Sequence, residues 1–201
     1  MADAPVLIIA CGALAKELVA LQRLNDWTHI DIQCLPAELH NRPEKIPGAV
    51  RAKLELYKDQ YEHLFVAYAD CGTGGALDKV LAEFGVERLP GAHCYEFYAG
   101  AAEFERLAAS QPATFYLTDF LARHFERLVK DGLGLNQHPE LMPTYFGNYK
   151  RLLYLSQSDS PQLETAAREY ADYLGLEYAH RHTGLGSVGR TIEEHTVQWQ
   201  N

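Results

Sequence analysis

Apolar and polar residues follow one another in short blocks that predict strands and helices in turn. Short runs of β-branched, aromatic and leucine residues predict strands over residues 6–10, 30–34, 64–68, 86–89, 114–118, 151–155 and 176–179. Apolar residues at helical spacing predict helices over residues 14–24, 48–61, 76–84, 93–100, 120–129 and 160–174, with 101–107 continuing the fourth of these or beginning a new turn. Three prolines predict an extended loop over 35–47, residues 132–145 carry no clear pattern, and a glycine loop at 184–189 precedes a final helix or tail at 191–199.

This alternation is typical of an α/β protein. It predicts a mainly parallel sheet with helices on both faces, a Rossmann-like arrangement of three layers. A chain of 201 residues can bury one substantial core, and we expect a single domain over residues 1–201. In such sheets ligands bind outside the carboxyl ends of the strands. Residues that follow strands are therefore the first candidates for a functional site.

Composition and charge exclude several classes of partner. The hydrophobic share of 47% and charged share of 22% are ordinary for a globular protein. A net charge of −9 and the lack of a Lys/Arg cluster argue against a nucleic-acid partner. No apolar run approaches the roughly 20 residues that span a bilayer, and the first residues do not resemble a signal peptide. We therefore expect a cytoplasmic protein with no membrane partner.

The stretch Tyr68-Ala-Asp-Cys-Gly-Thr-Gly-Gly75 places a cysteine and three glycines between a predicted strand and a predicted helix. Glycines allow positive φ and a close approach of a ligand to the backbone, and N–H groups at a helix start favour an anion. A cysteine there should have a lowered pKa. The alternative is a plain structural turn in which Cys71 is a small buried residue.

Cysteine and histidine residues follow successive predicted strands. The four cysteines are far apart and form no CxxC pair, which makes disulfides and finger-type zinc sites poor interpretations. Cys34 lies within a strand and is predicted to be a core residue. The four candidate ligands for a shared site are Cys11, His40, Cys71 and Cys94. Thiolates with imidazole suit Zn²⁺, and three protein ligands with one open position are typical of catalytic zinc.

The ordinary alternative is that each of these cysteines is simply buried and that His40 is solvated. His93 is adjacent to Cys94, so it could replace His40 as a ligand or act as a general acid or base. Glu17 and Glu96, near the starts of two helices, are further candidates for acid or base roles, with solvated carboxylates as the alternative. We predict catalytic roles for Glu17, His93 and Glu96.

Three other patterns carry less weight. His180 and His182 share one face of a strand, but the sequence supplies no third ligand for them. Gly184-Leu-Gly-Ser-Val-Gly189 matches a dinucleotide fingerprint by letters, yet no βαβ unit or acidic residue follows it. A Walker-type lysine does not follow Gly72 or Gly74, which disfavours a P-loop nucleotidase.

Five motifs in order resemble a known bacterial and archaeal family, domain-of-unknown-function family sixteen-thirty-eight. They are Ile-Ala-Cys11-Gly12 with Glu17, Leu39-His-Asn-Arg-Pro43 with Ile46-Pro47, Tyr68 with Cys71-Gly72 and Gly74, His93-Cys94 with Gly100, and Tyr116-Leu-Thr118. The resemblance covers nearly the whole chain, with less specific motifs after Thr118. It departs from the family pattern at His93, where an acidic residue is expected.

The resemblance implies that Cys11, His40, Cys71 and Cys94 belong to the family's pattern, and that corrinoid-dependent methyltransferase systems are candidate partners. We expect a zinc-thiolate enzyme that transfers a methyl or other one-carbon group to or from a thiol or a corrinoid system; the one-carbon part rests on the resemblance alone. The expected substrate-binding residues are Gly12, Tyr68, Gly72, Gly74 and Thr118. Two alternatives are a non-catalytic accessory protein that binds a small molecule or anion, and a metal-free thiol redox protein.

Overall fold

In this computed structural model residues 6–185, 189, 190 and 192 are described. The chain divides into two compact units, one running to Cys94 and including residues 189, 190 and 192, and one that begins at Tyr95. The predicted α/β class and the parallel strand arrangement are confirmed, with the strands divided between two sheets where one was expected. The single domain over residues 1–201 stays a prediction.

The first unit is built on a parallel sheet of four strands in the order β2-β1-β3-β4. Its strands are β1 (Val6–Cys11), β2 (Ile30–Leu35), β3 (His63–Ala67) and β4 (Glu87–Arg88), and its α-helices are α1 (Ala15–Leu24), α2 (Ile46–Tyr57) and α3 (Ala76–Phe84). Every residue of β1 is buried, as expected for an inner strand with helices on both faces. The side chains of Leu7, Ile9 and Cys11 form one core with Val66 and with residues of α2 and α3.

One prediction about this sheet is wrong. Cys34 is exposed, although the apolar strand pattern predicted a core residue. Among the described strands β2 lies at one end of the sheet order, next to β1, so part of the strand faces solvent.

The proline-rich segment 35–47 is helical rather than extended. It contains two 3-10 helices, Ala37–Asn41 and Pro43–Lys45, and α2 then begins at Ile46 instead of residue 48. Pro43 and Pro47 each stand in the first turn of their helix, where proline has no N–H to lose and its fixed φ suits the helical backbone. The prolines start turns here, which places His40 on a short, defined helix.

The second unit contains a parallel sheet in the order β5-β6-β7. Its strands are β5 (Thr114–Thr118), β6 (Arg151–Ser156) and β7 (Glu177–His182), and its α-helices are α4 (Tyr95–Ala99), α5 (Ala101–Ser110), α6 (Asp119–Arg123), α7 (Met142–Phe146) and α8 (Pro161–Leu174). A 3-10 turn (Pro139–Leu141) and a π-helix (Glu126–Asp131) complete it. Leu152 and Tyr154 of β6 pack against Ala167 and Ala171 of α8.

One buried carboxylate organises the carboxyl ends of β5 and β6. Asp119 is 2% exposed, and it accepts hydrogen bonds from the Tyr154 hydroxyl at 2.6 Å and from the Gln157 and Ser158 N–H groups, both at 3.1 Å. Arg123 and the Ser158 hydroxyl complete its contacts. These donors offset the cost of burying the carboxylate. Asp119 therefore stabilises the loop that follows β6.

Several element boundaries differ from the predictions. The helix expected over 120–129 is divided, because α6 ends at Arg123 and a π-helix follows at Glu126–Asp131. Gly184 and Leu185 form a turn after β7, whereas most of the predicted glycine loop and final helix or tail lies outside the described residues. No helix in the described part of the chain has the length and apolar character needed to cross a membrane.

Candidate metal centre

Three potential metal ligands follow three strands of the first unit. His40 lies on the 3-10 helix Ala37–Asn41 that follows β2, Cys71 lies in the loop after β3, and Cys94 comes after β4. The parallel strands end at one edge of their sheet, so these segments meet there.

Backbone hydrogen bonds join the loop that carries Cys71 to the loop that precedes Cys94. The N–H of Asp70 donates to the carbonyl of Gly91 at 3.2 Å, and the N–H of Cys71 donates to the carbonyl of Ala92 at 2.9 Å. These two bonds continue the pairing of β3 with β4 beyond the last strand residues. They set the spacing between the two cysteines before any ligand binds.

The side chain of Asp70 closes the loop between β3 and α3. Its carboxylate accepts hydrogen bonds from the Thr73 hydroxyl at 2.8 Å, the Gly74 N–H at 3.1 Å and the Gly75 N–H at 2.8 Å. The bond from Gly75 is the main reason why the pKa of Asp70 lies below its usual range. The N–H groups of Gly74 and Gly75 are thus engaged within the loop.

The backbone turns at Cys71 itself. Cys71 has a φ of 49°, which is unusual for a residue with a side chain, and Gly72 follows with a φ of 84°. A left-handed conformation at a non-glycine residue costs about 1–3 kcal/mol and persists where the surrounding structure fixes it. Here the hydrogen bonds of Asp70 and Cys71 hold the turn, and Cys71 points toward Cys94 and His40.

The ligand atoms of His40, Cys71 and Cys94 all lie within 4.8 Å of one another. All three residues are half-buried. Two sulfurs and one imidazole nitrogen form a set of donors that fits Zn²⁺ and related soft or borderline ions. A metal between them would need only small movements of the side chains.

The two nitrogens of the His40 imidazole differ in their hydrogen bonding. His40 Nδ1 lies 3.5 Å from Cys11 Sγ. Among the residues that the structure describes, none gives His40 Nε2 a hydrogen bond, although this atom is buried. A buried imidazole nitrogen without a partner is costly, and a metal ion would satisfy it.

The pKa values of the residues in the cluster depend on one another. Burial lowers the pKa of His40, but the neighbouring sulfurs of Cys11 and Cys71 outweigh this effect and raise the pKa to about 11. A hydrogen bond from Cys94 and the nearby His40 lower the pKa of Cys71 to about 5, against the effect of burial. The pKa of Cys94 lies well above its ordinary value, chiefly because its thiol is hydrogen-bonded to Cys71. The cluster therefore stabilises a thiolate at neutral pH.

Cys11 and Tyr68 form the inner wall of the cluster. Cys11 is 1% exposed and its sulfur accepts a hydrogen bond from the Ala13 N–H at 3.3 Å. The ring of Tyr68 is fully buried and stacks on His40, with 6.2 Å between the ring centroids and 15° between the planes. Burial, followed by the charge of Cys11, raises the pKa of the Tyr68 hydroxyl. Cys11 does not belong to the group of three ligand atoms that lie within 4.8 Å of one another.

The other predicted site residues lie in varied surroundings. Glu17 is 5% exposed on α1, so it is a buried carboxyl and not a solvated one, whereas His93 is exposed beside Cys94. Glu96 and Thr118 belong to the second unit. The Thr118 hydroxyl accepts a hydrogen bond from the Leu121 N–H at 3.3 Å and caps α6. The catalytic and substrate-binding roles of these residues stay predictions.

Gly12 makes a close backbone contact. A Cβ atom at this position would lie 2.9 Å from the carbonyl oxygen of Leu35, too close for any side chain. Gly12 thus permits the turn after β1 to pack against the segment that leads from β2 to His40. The predicted substrate-binding role of Gly12 stays a prediction.

Sequence reasoning missed Asp70 and the Gly91-Ala92 loop. The signal for Asp70 was present, because an Asp shortly before a glycine-rich helix start is a common cap for free N–H groups. It also missed a partner for the histidine pair in the second unit. Ser156 Oγ lies 2.9 Å from His180 Nε2 and 3.1 Å from His182 Nδ1.

The chain matches one protein-family model. No curated protein matches the chain. The family model described as a protein of unknown function, DUF1638, matches residues 34–192 and includes His40, Cys71 and Cys94. This match covers most of the 201 residues, and the chain belongs to the DUF1638 family.

Proposed function

We propose that the protein is a zinc-thiolate enzyme that transfers a methyl or other one-carbon group to a thiol. The observation that carries this proposal is the convergence of His40, Cys71 and Cys94, with ligand atoms within 4.8 Å of one another. Zinc held by these three residues would supply a position for an incoming thiol and would lower the pKa of that thiol toward neutral pH. The corrinoid system as partner is supported only by the family resemblance.

The residues of the cluster have separate tasks in this proposal. His40, Cys71 and Cys94 would hold the ion, and all three side chains are half-buried. The substrate thiol R–SH gives up its proton to solvent water, and its sulfur attacks the methyl carbon of a donor CH3–X. A carbon–sulfur bond forms, the bond from carbon to X breaks, and X leaves with the electron pair of that bond.

The experiment for this proposal is a transfer assay with a methylated corrinoid and a simple thiol. Zinc-loaded protein should produce the methyl thioether and the demethylated corrinoid in equal amounts, as measured by mass spectrometry and visible absorption. The Cys94→Ser variant should lose this activity, while Cys34→Ser should keep it because Cys34 is exposed on β2. Zinc-loaded protein that forms no thioether with any methyl donor tested would contradict the transfer.

A metal-free thiol redox protein is the second candidate, favoured by the short distance between the sulfurs of Cys71 and Cys94. A low-molecular-weight disulfide would accept two electrons from the two thiols, which would release two protons as their S–S bond forms. Metal-free protein equilibrated with oxidised glutathione would then lose two free thiols, and Cys34→Ser would lose the same two. Retention of all four thiols under these conditions would eliminate this candidate.

A further inference from the structure

We propose that Cys11 stays outside the coordination of the metal and positions His40 through its sulfur. This inference rests on the proposed metal site and concerns the fourth residue of the motif pattern. It assigns two thiolates and one imidazole to the ion, where the position of Cys11 in the sequence suggested three thiolates.

The positions of the ligand atoms separate Cys11 from the other two cysteines. Two thiolates on one tetrahedral zinc ion lie about 3.8 Å apart, given Zn–S bonds of about 2.3 Å. The ligand atoms of His40, Cys71 and Cys94 come within 4.8 Å of one another, and Cys11 is not a member of that group. The ring nitrogen that Cys11 Sγ contacts is Nδ1 of His40, at 3.5 Å.

Cys11 also has little freedom to move toward the ion. It is the last residue of β1, an inner strand, and pairs in register with Leu35. Its sulfur accepts the Ala13 N–H at 3.3 Å as the cap of the 3-10 helix Gly12–Leu14. The carbonyl of Leu35 would lie 2.9 Å from a Cβ at Gly12, so the turn after Cys11 is tightly packed. Cys71 and Cys94, by contrast, lie in loops at the open edge of the sheet.

The two ring nitrogens of His40 have different surroundings. A histidine that binds a metal through one nitrogen uses the N–H of the other nitrogen as a hydrogen-bond donor, which fixes the tautomer and the ring orientation. Nδ1 has Cys11 Sγ as its partner, while Nε2 is buried and has no hydrogen bond within the described residues. The stacked ring of Tyr68 restricts the remaining rotation of the imidazole. Cys11 thus holds the proton on Nδ1 and leaves the Nε2 lone pair for the ion.

The consequence is an open fourth coordination position. With Cys11 bound, the ion would have four protein ligands, which is typical of a closed structural site. With Cys11 as a positioning residue, three ligands remain, and a substrate thiol can bind directly. The status of Cys11 therefore separates a structural zinc site from a catalytic one.

Cobalt substitution tests this assignment. The absorption from thiolate-to-cobalt charge transfer increases with the number of thiolates bound, so it can be compared per bound ion between variants. We expect Cys11→Ser to keep the full intensity of wild type and Cys71→Ser to keep about half. Cys11→Ala should weaken binding of the ion about 10- to 100-fold, as loss of a hydrogen-bond partner of a ligand does, with Cys11→Ser closer to wild type.

X-ray absorption of the wild-type zinc protein gives the number of sulfur ligands without any variant. It should show two sulfurs at about 2.3 Å, with nitrogen or oxygen ligands completing the site. Three sulfurs in this measurement, or loss of about one third of the cobalt band in Cys11→Ser, would overturn the inference while leaving the metal site intact. Wild-type protein that takes up neither ion would refute the metal site and this inference with it.

Discussion

The N–H of Cys71 donates a hydrogen bond to the carbonyl of Ala92, with 2.9 Å between nitrogen and oxygen. This bond ties the turn after β3 to the segment that ends in Cys94, and the neighbouring bond from Asp70 to Gly91 supports it. The two cysteines are therefore held near each other by the backbone. A site organised in this way loses little conformational entropy when a ligand binds.

Asp70 should stabilise the loop in a pH-dependent way. Asp70→Ala removes the acceptor for Thr73, Gly74 and Gly75, and we expect the free energy of unfolding at pH 7 to fall by about 1–3 kcal/mol. The pKa of Asp70 is lowered in the folded protein, so its contribution is present above the unfolded pKa of about 3.9 and disappears as the pH falls through the folded value. Urea unfolding of both proteins in chelator, from pH 7 to pH 3, measures this difference.

The matched control is Asp172→Ala, because Asp172 is exposed on α8 of the second unit. It should change the free energy of unfolding by less than about 0.5 kcal/mol. If Asp70→Ala is equally neutral at pH 7, the carboxylate does not hold the loop.

Gly12 should tolerate no side chain. Gly12→Ala places a Cβ 2.9 Å from the carbonyl oxygen of Leu35, and relief of this contact must move the segment that leads to His40. We expect a loss of about 1–3 kcal/mol in the free energy of unfolding, together with weaker metal binding. Thermal unfolding and zinc titration against a fluorescent competitor measure the two effects.

Gly48→Ala is the control for this substitution. A Cβ at Gly48 meets no atom within 4 Å, and Gly48 lies within α2, so alanine should be neutral or stabilise by up to about 1 kcal/mol. Similar metal affinities for Gly12→Ala and Gly48→Ala would show that the contact with Leu35 does not position His40.

Cys71 should be reactive at low pH in metal-free protein. Its pKa is lowered to about 5, first by the hydrogen bond from Cys94 and also by His40, so it is a thiolate above that pH. Alkylation of Cys71 by iodoacetamide should be nearly constant from pH 8 to about pH 6 and decline as the pH falls through 5. Cys34 is the internal control, because its pKa is raised by partial burial and its alkylation should increase with pH over the same range. Peptide mass spectrometry of one reaction series gives both curves, and parallel curves would contradict the proposed thiolate.

The sequence was sufficient for the class of fold and for three members of the cluster. Cys71, Cys94 and His40 each follow a strand, and parallel strands end at one edge, so their meeting could be predicted without coordinates. The sequence could not predict whether Cys11 is a ligand. The position of a cysteine after a strand does not fix the place of its sulfur to within about 1 Å, and metal coordination requires that precision.

Other features depend on tertiary contacts that periodicity does not encode. The apolar pattern of β2 did not reveal that the strand forms an edge and exposes Cys34. The prolines of residues 35–47 suit both extended chain and the first turn of a helix, and packing selected the helical form. The division of the strands between two sheets likewise depends on which strands pair, since every strand had an acceptable pattern.

Metal content of untagged, purified protein is the most direct test of the central claim. Native mass spectrometry, with elemental analysis of the same sample, should find one zinc ion per chain in wild type and in Cys34→Ser. Cys71→Ser and Cys94→Ser should each contain far less, because each removes one of the three ligand atoms that lie within 4.8 Å of one another. Wild-type protein that contains no metal and binds none on addition of zinc would contradict the account.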